Sequence, residues 1–188
     1  KELGFTEKSR IACHITFSFD VSVENLYPVL TVGGSTYIVP QNVRKDIDLM
    51  YRFIIDNGIT GGSYTTQFGT MLISQYPDLP VEYLAVGGER LSVVPECSPR
   101  FINEYGPTEF TVWAACFEFV KGRKYDEIPI GRPFDNITAY IVDKEGRIVP
   151  RGVVGELCLS GEQIADGYWN RPELTAQAFV DNPYGEGK

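Results

Sequence analysis

The sequence predicts an α/β fold: a mostly parallel sheet flanked by helices, followed by a small antiparallel β-barrel-like subdomain. Strand-like and helix-like segments alternate between residues 11 and 105, which is typical of parallel sheets. Beyond Lys121-Gly122 the segments become short, rich in β-formers and separated by turn residues, which favours antiparallel pairing. We therefore expect an α/β region over residues 1–120 and a β-rich subdomain with a C-terminal helix over residues 121–188.

In the first region, runs of β-branched and aromatic residues predict strands at 11–19, 35–39, 81–86 and 100–105. Helices are predicted at 22–30, where Ser22 can cap the first turn, and at 46–56 and 65–74. The second helix has the most regular pattern, because its apolar positions share one face and Asn57-Gly58 ends it. Those apolar positions are Ile47, Met50, Tyr51, Ile54 and Ile55.

In the second region, short strands are predicted at 128–130, 137–142, 147–149 and 155–160. The segment Asp143-Lys144-Glu145-Gly146 predicts a hairpin turn, with Gly146 suited to a positive φ. A second turn is predicted at 150–152. A helix is expected to begin near Pro172, with Leu174, Ala178 and Phe179 facing inward.

Composition excludes several classes of function. The net charge of −8 argues against a nucleic-acid or anionic-membrane surface, although backbone dipoles and Mg²⁺ allow an acidic protein to bind ATP. The four cysteines are scattered and His14 is the single histidine, so we expect neither a structural zinc site nor a Ser-His-Asp triad. We expect reduced thiols, a cytoplasmic location, no secretory leader and no membrane span.

Residues suited to ligand binding follow several predicted strands. Asp20, Gly87-Gly88 and Tyr105-Gly106 each stand at such a carboxyl end. In parallel sheets, ligands bind beyond these ends. The topology therefore predicts a shared site.

Three sequence blocks, in order, resemble the adenylation domains of nonribosomal peptide synthetases. The first is Phe19-Asp20-Val21-Ser22, and the second is Asn103-Glu104-Tyr105-Gly106-Pro107-Thr108-Glu109. The third runs from Gly155 through Gly161 to Gly167-Tyr168-Trp169-Asn170-Arg171-Pro172-Glu173-Leu174-Thr175, with a fitting tail at 178–183. The resemblance implies that ATP and an amino acid form an aminoacyl adenylate and pyrophosphate. The aminoacyl group then passes to a phosphopantetheine thiol, with carrier-protein and condensation domains of a multimodular synthetase as partners.

The resemblance also implies roles in ATP binding. Glu109 is implied as the Mg²⁺ ligand and Thr108 as a donor to a phosphate oxygen, and these two are the implied catalytic residues. Tyr105 is implied to stack on adenine and Asn103 to reach the purine edge. The implied nucleotide-binding set is Gly87, Gly88, Glu89, Asn103, Glu104, Tyr105, Gly106 and Thr108.

Some parts of the family pattern are expected outside this chain: a phosphate loop before residue 1, and a ribose-binding block and C-terminal lid beyond Lys188. The chain therefore resembles the second half of the large N-terminal subdomain. Gln163 and Asp166 stand where the family prefers glycine and arginine. One alternative is that this chain alone is a non-catalytic module that binds a nucleotide or an amino acid.

Asp20 is implied to pair with the α-ammonium of the substrate. Acyl-CoA and aryl-acid ligases share the Tyr-Gly-Pro/Thr-Thr-Glu region but have no ammonium to bind, so Asp20 favours amino acids over this alternative class.

Alignment by spacing marks a pocket for the substrate side chain. Its residues are Val21, Glu24, Ser63, Ala85, Gly87, Glu104, Val112 and Trp113. Glu24 and Glu104 favour a cationic partner, because an unpaired buried carboxylate is costly. We expect arginine first and lysine or ornithine next, and tyrosine or another aromatic stays open because Trp113 can stack on a ring.

Overall fold

The computed structural model describes residues 3–185 and residue 187 of the 188-residue chain. The chain divides into two compact units. Unit 1 comprises Lys1–Tyr105 and Cys116–Gly131, and unit 2 comprises Gly106–Ala115 and Arg132–Lys188. In the described part of the chain, no helix has both the length and the apolar character needed to cross a membrane.

Unit 1 alternates strands and helices as its sequence predicts. Its elements, in order, are β1 (Arg10–Cys13), α1 (Val21–Thr31), β2 (Ser35–Ile38), α2 (Ile47–Asn57), β3 (Ser63–Thr65), α3 (Thr66–Gln75), β4 (Tyr83–Gly87), β5 (Arg100–Tyr105) and, from Cys116 onward, β6 (Ala115–Glu118). β1 and β2 pair in parallel, and so do β3 with β4 and β4 with β5. β6 follows β5 in the strand order. The α/β fold with parallel strands is thus confirmed.

The register of β3, β4 and β5 gives this sheet two different faces. Ser63, Ala85 and Ile102 are level with one another, and so are Gly87 and Glu104. Because side chains alternate along a strand, these residues share one face. The opposite face carries Leu84, Val86 and Phe101, which belong to the main hydrophobic core together with Met50 and Ile54 of α2. One face therefore holds the core and the other holds the small and acidic residues.

Two predicted boundaries in unit 1 are wrong. β1 ends at Cys13 and does not reach Phe19, because a turn closed by Phe19 N–H and the Thr16 carbonyl interrupts the extended chain. The cap of α1 is Asp20 and not Ser22, since the Asp20 carboxylate accepts a hydrogen bond from the Val21 amide at 2.8 Å.

α2 follows its prediction closely. The Asp46 carboxylate caps it through the Leu49 amide, and Gly58 ends it in the left-handed conformation with φ 57°. Met50 and Ile54 are fully buried, as predicted. Ile55 is the exception, because its side chain is 43% exposed at the edge of the apolar face.

Unit 2 contains a 3-10 helix (Thr108–Phe110), β7 (Arg132–Pro133), β8 (Ile137–Val142), β9 (Glu156–Gly161) and α4 (Pro172–Ala178). β8 and β9 pair antiparallel, and the predicted turn between Asp143 and Gly146 is present, with Gly146 at φ 76°. The barrel-like arrangement is not confirmed: within the described residues β8 and β9 form a two-stranded sheet.

Three smaller predictions fail. Residues 128–130 have no strand conformation, and the predicted strand at 147–149 contributes a single bridge, between Ile148 and Val142. α4 begins at Pro172 as expected, but Leu174 is 51% exposed and Ala178 is exposed too. Phe179, just past the helix, is the one predicted inward residue that is buried.

Candidate functional site

Two glutamates and a serine form a buried hydrogen-bonded cluster in unit 1. The Ser63 hydroxyl lies 2.7 Å from Glu24 Oε1 and 3.4 Å from Glu104 Oε1. Ser63 has no solvent exposure, and the two glutamates are 8% and 6% exposed. The structure thus brings together three residues that the sequence assigns to the substrate pocket, from α1, β3 and β5.

The chemistry of this cluster is set by burial. Burial raises the pKa of Glu24 to about 8, against a smaller lowering by the Ser63 hydrogen bond. Burial and then the charge of Glu24 hold the pKa of Glu104 well above its usual range. Two adjacent carboxylates in a water-excluded site therefore resist carrying two negative charges at neutral pH.

Polar atoms without protein partners surround the pair. Glu24 Oε2, the Tyr83 hydroxyl and Asn25 Nδ2 are buried and make no hydrogen bond. The pKa of Tyr83 is raised well above its ordinary value by burial, then by the charges of Glu24 and Glu104. Sequence reasoning missed both Tyr83 and Asn25. The signal for Tyr83 was available, since it lies two residues before Ala85 on the same strand face.

Small residues of β4 lie on the same sheet face as Ser63 and Glu104. Ala85 is fully buried in the middle of β4, and Gly87 ends that strand beside Glu104. A Cβ at Gly87 would lie 3.0 Å from the backbone oxygen of Glu104. Glycine therefore allows β4 and β5 to approach closely here.

Asp20 and Val21 begin the helix that carries Glu24. Asp20 uses its carboxylate as the cap of α1, and both residues are partly exposed. Positions four apart on a helix lie on the same face. Asp20 and Glu24 therefore place two carboxylates one turn apart along one side of α1.

The Gly87-Gly88-Glu89 turn is held by a residue that sequence reasoning missed. The Thr66 hydroxyl, at the start of α3, lies 3.1 Å from the carbonyl oxygen of Gly87 and 3.0 Å from that of Glu89. Gly88 has φ 89°, a conformation that favours glycine, and both Gly88 and Glu89 are exposed. Thr66 thus fixes the backbone of the predicted nucleotide wall.

Asn103 and Tyr105 lie on the opposite face of β5 from Glu104, by strand alternation. The Asn103 side chain is 4% exposed and donates from Nδ2 to the Pro129 carbonyl at 2.9 Å. Tyr105, at the end of the strand, is partly exposed. In this state the Asn103 amide ties β5 to the segment before Gly131.

In unit 2 the 3-10 helix presents Thr108 and Glu109. The Tyr168 hydroxyl donates a hydrogen bond to Glu109 Oε1, and the Ala165 amide donates to the Glu109 backbone oxygen at 2.8 Å. The Tyr168 hydrogen bond lowers the pKa of Glu109, so its carboxylate is ionised at neutral pH. Tyr168 is a fourth residue that sequence reasoning did not assign to the site, after Tyr83, Asn25 and Thr66.

Glu109 fits a Mg²⁺ site that relies on few protein ligands. Among the described residues there is no group of three or more His, Cys, Asp or Glu side chains that could hold a metal ion. Mg²⁺ commonly takes one or two carboxylates and completes its shell with water and substrate phosphates. A single ionised carboxylate on a short helix is compatible with that chemistry.

The remaining predicted residues of unit 2 lie close to the 3-10 helix in the chain. Val112 and Trp113 are partly buried, and the Trp113 ring stacks on Phe134 with ring centroids 5.9 Å apart. A Cβ at Gly106 would lie 1.8 Å from the Val112 carbonyl oxygen, so glycine is required there. Gln163, one departure from the family pattern, accepts a hydrogen bond from Thr111 at its backbone oxygen, which any residue could provide.

Comparison with known proteins identifies the family of the chain. Residues 1–169 match the family described as AMP-binding enzyme. The chain is 37% identical over 190 residues to bacitracin synthase 1 of Bacillus licheniformis and 35% identical over 188 residues to tyrocidine synthase 2 of Brevibacillus parabrevis. These alignments cover 100% and 98% of this chain but 4% and 5% of the relatives, so the chain spans a small part of their length.

Solved structures show the same fold. The crystal structure of holo-AB3403, a four-domain nonribosomal peptide synthetase bound to AMP and glycine, matches with a TM-score of 0.85 and 29% identity, over 96% of this chain and 14% of that one. The N-terminal subdomain of Klebsiella oxytoca NpsA matches in fold, with a TM-score of 0.82 and 21% identity, over 97% of this chain and 47% of that one. The chain therefore belongs to the AMP-binding enzyme family, and its similarity to nonribosomal peptide synthetase adenylation domains confirms the resemblance that its motifs predict.

Proposed function

We propose that the protein containing this chain activates an amino acid with a cationic side chain, by forming its adenylate from ATP with release of pyrophosphate. The observation that carries the proposal is the pair of carboxylates one turn apart on α1, Asp20 at the cap and Glu24 buried beside Ser63. Asp20 would bind the α-ammonium, and Glu24 with Glu104 would bind the positive end of the side chain. Arginine is the first candidate, and lysine and ornithine are next.

The burial of Glu24 and Glu104 supports a substrate with a cationic side chain. Glu24 and Glu104 are both more than nine-tenths buried, and the described residues provide no Lys or Arg side chain in an ion pair with either. A buried carboxylate without a partner costs several kcal/mol, on the order of the penalty for desolvating an ion. A ligand that brings a positive charge removes that cost, which a neutral aliphatic side chain cannot do. An aromatic substrate such as tyrosine is the runner-up, because a carboxylate can accept a hydrogen bond from a phenol.

The nucleotide roles are proposed for the residues that the motifs assign. Gly87, Gly88 and Glu89 would form a wall for the adenine, supported by the Thr66 hydrogen bonds to that turn. Glu104, Asn103, Tyr105, Gly106 and Thr108 complete the proposed nucleotide set. Mg²⁺, held by Glu109, would neutralise phosphate charge when bound. The observation that supports this role for Glu109 is the hydrogen bond from the Tyr168 hydroxyl, which orients the Glu109 carboxylate on the 3-10 helix.

The proposed partners follow from the same activity. The aminoacyl group would pass to the phosphopantetheine thiol of a carrier protein, beside a condensation domain of a multimodular synthetase. The relatives described above are themselves named as synthases and as a four-domain synthetase. We propose a cytoplasmic protein that binds neither nucleic acid nor membranes, consistent with its net charge of −8.

The test is ATP–pyrophosphate exchange by the intact protein with each amino acid in turn. We expect the strongest exchange with arginine, lysine or ornithine, and a loss of at least 10-fold in kcat/KM for Asp20→Asn, because a charge-assisted contact is worth about 1.5–3 kcal/mol. Exchange only with small aliphatic amino acids would refute the cationic class. Activation of aryl or acyl acids that lack an ammonium would refute the amino-acid assignment itself.

A second candidate function concerns the 188-residue chain alone: a module that binds an amino acid or adenine without turnover. The motif assignment favours it, because the phosphate loop and lid of the family pattern are not among the motifs found here. Calorimetric binding of AMP or the amino acid, without pyrophosphate exchange, is the expected result for this chain. Exchange by the isolated chain would contradict it.

A further inference from the structure

We infer that Glu24 and Glu104 keep at least one proton between them in the ligand-free protein and release a proton to solvent when a cationic side chain binds, with Ser63 making Glu24 the first of the two to ionise. Substrate capture would then be coupled to proton release and would strengthen as pH rises. This inference rests on the proposed function, since it assumes a cationic substrate at the cluster.

The position of Ser63 distinguishes the two glutamates. The Ser63 hydroxyl carries one hydrogen, which can serve one carboxylate well. The distance to Glu24 Oε1 is 2.7 Å and that to Glu104 Oε1 is 3.4 Å, at the outer limit for a hydrogen bond. The serine therefore stabilises negative charge on Glu24 and gives little to Glu104. An asymmetric pair of this kind keeps its proton on the less stabilised member.

The electrostatic surroundings of the pair favour its protonation. The charges of Glu24 and of Cys116 on β6 act on Glu104, and Tyr83, with Tyr64 and Glu82 near it, lies beside both glutamates. Asp20 stands one turn earlier on α1. Arg100 on β5 interacts with Tyr83 and Cys116, but its guanidinium forms an ion pair with Glu118 at 2.6 Å and shifts the pKa of neither Glu24 nor Glu104. Burial accordingly raises the pKa of both glutamates, as the site geometry requires.

Two buried oxygen atoms of this cluster have no hydrogen-bond partner among the described residues. Glu24 Oε2 is buried and accepts no hydrogen bond, and the buried Tyr83 hydroxyl on the same side has no partner either. A guanidinium or ammonium group brings several donors and no acceptors. It would pair with Glu24 Oε2 and with Glu104 once Glu104 is ionised. The positive charge thus replaces the shared proton, and that proton leaves to solvent.

The coupling has a definite sign. Below the raised pKa values the pair is protonated, so binding must first expel a proton and is weakened. As pH rises toward those values the cost disappears. For one coupled proton, affinity rises by up to about tenfold per pH unit across that window. The expected window lies between pH 6 and 8, where Glu24 begins to ionise with its pKa of about 8.

The test is isothermal titration calorimetry of the intact protein. The ligand is whichever of arginine, lysine and ornithine gives the strongest pyrophosphate exchange, titrated at pH 7 in two buffers of different ionisation enthalpy. We expect release of between half a proton and one proton per ligand bound, and binding that tightens from pH 6 to pH 8. L-Citrulline, whose neutral urea replaces the guanidinium of arginine, is the matched ligand and should release no proton.

Three variants locate the source of the proton. Glu104→Gln should reduce proton release by at least half and flatten the pH profile, and Ser63→Ala should shift the rise in affinity to higher pH because Glu24 loses its donor. Glu96→Gln removes an exposed carboxylate of unit 1 and should leave both unchanged. Thermal unfolding of each variant reports whether it is folded, and the two-buffer comparison on the unmodified protein does not depend on any variant.

The outcomes separate the two proposals. Exchange with a cationic amino acid but no proton release and no pH dependence would overturn the coupling and leave the proposed function standing. Proton release that persists in Glu104→Gln would also overturn it. No exchange with any amino acid would overturn the proposed function, and the coupling with it.

Discussion

The hydroxyl of Tyr168 donates a hydrogen bond to the carboxylate of Glu109, across 59 residues of sequence within unit 2. The Tyr168 amide in turn donates a hydrogen bond to the Thr175 hydroxyl oxygen at 2.9 Å, and the Tyr168 ring packs edge-on against Phe179. The third sequence block thus orients the carboxylate of the second block. This contact therefore joins two motifs that are separate in the sequence.

Tyr168→Phe should weaken the binding of Mg²⁺ to the protein in the presence of ATP. Removing a hydrogen bond that orients a metal-binding carboxylate typically costs 10–100-fold in metal affinity, and we expect about 10-fold at this exposed pair. Calorimetric titration of Mg²⁺ into the intact protein with ATP measures the effect without turnover. Tyr184→Phe, which removes another exposed tyrosine hydroxyl of unit 2 that bonds the Gly146 carbonyl, is the control. Equal effects of the two variants would contradict the role of Tyr168.

Thr66→Val should destabilise the turn that carries Gly87 and Glu89. The buried hydroxyl serves two backbone oxygens, and its loss should cost about 1–2 kcal/mol of unfolding free energy and raise the KM for ATP more than the KM for the amino acid. Thr70→Val on the same helix is the matched control, because its buried hydroxyl has no partner and its removal should be neutral or stabilising. Urea unfolding and exchange kinetics check both. If Thr66→Val left the unfolding free energy unchanged, the Thr66 hydroxyl would not be stabilising the turn.

Glu104→Gln should stabilise the ligand-free protein, and more so at high pH. The pKa of this carboxyl is raised in the folded state, so the folded state binds more protons than the unfolded chain above about pH 4.3. Stability is therefore greatest below the unfolded pKa and is lost as pH rises toward the raised folded value. We expect a clear gain at pH 8 and little gain at pH 4, because the glutamine carries no charge that burial would penalise. A stability difference independent of pH, measured by urea unfolding, would show that the carboxyl is not strained by burial.

Gly106→Ala should destabilise unit 2 by about 2 kcal/mol, because the new Cβ would lie 1.8 Å from the Val112 carbonyl oxygen and the backbone would have to move. Gly146→Ala is the control, because it measures the cost of placing alanine at a positive φ without a steric clash. Gly146 has φ 76° and nothing within 4 Å of its Cβ position, so it should lose only about 1 kcal/mol. Thermal unfolding compares the stability of the two variants. Equal losses of stability would show that the backbone around Gly106 accommodates the new Cβ without a steric cost.

Much of unit 1 could be predicted because its signals are local. The cap at Asp46, the apolar face of α2 and Gly58 lie within one helix, and the structure reproduces all three. β1 is shorter than predicted because β-propensity continues through Phe17 and Phe19 while the chain turns back at Thr16. The β-propensity of single residues does not show where the pairing of a strand with its neighbouring strand ends. The barrel-like arrangement of the second region is not confirmed, and short apolar runs in a sequence do not specify how many strands pair.

The candidate site, like the fold, could be predicted only in part from the sequence. The sequence by itself determined the family and the residue types at Asp20, Glu24, Ser63, Glu104 and Glu109, because motifs and spacing are properties of the chain. Only the tertiary structure decided that Ser63 lies between two buried glutamates, that Thr66 holds the Gly87 turn and that Tyr168 reaches Glu109. The physical reason is that burial and hydrogen bonding depend on distances between residues far apart in sequence. These distances, and not residue identity, set the pKa of each carboxyl group.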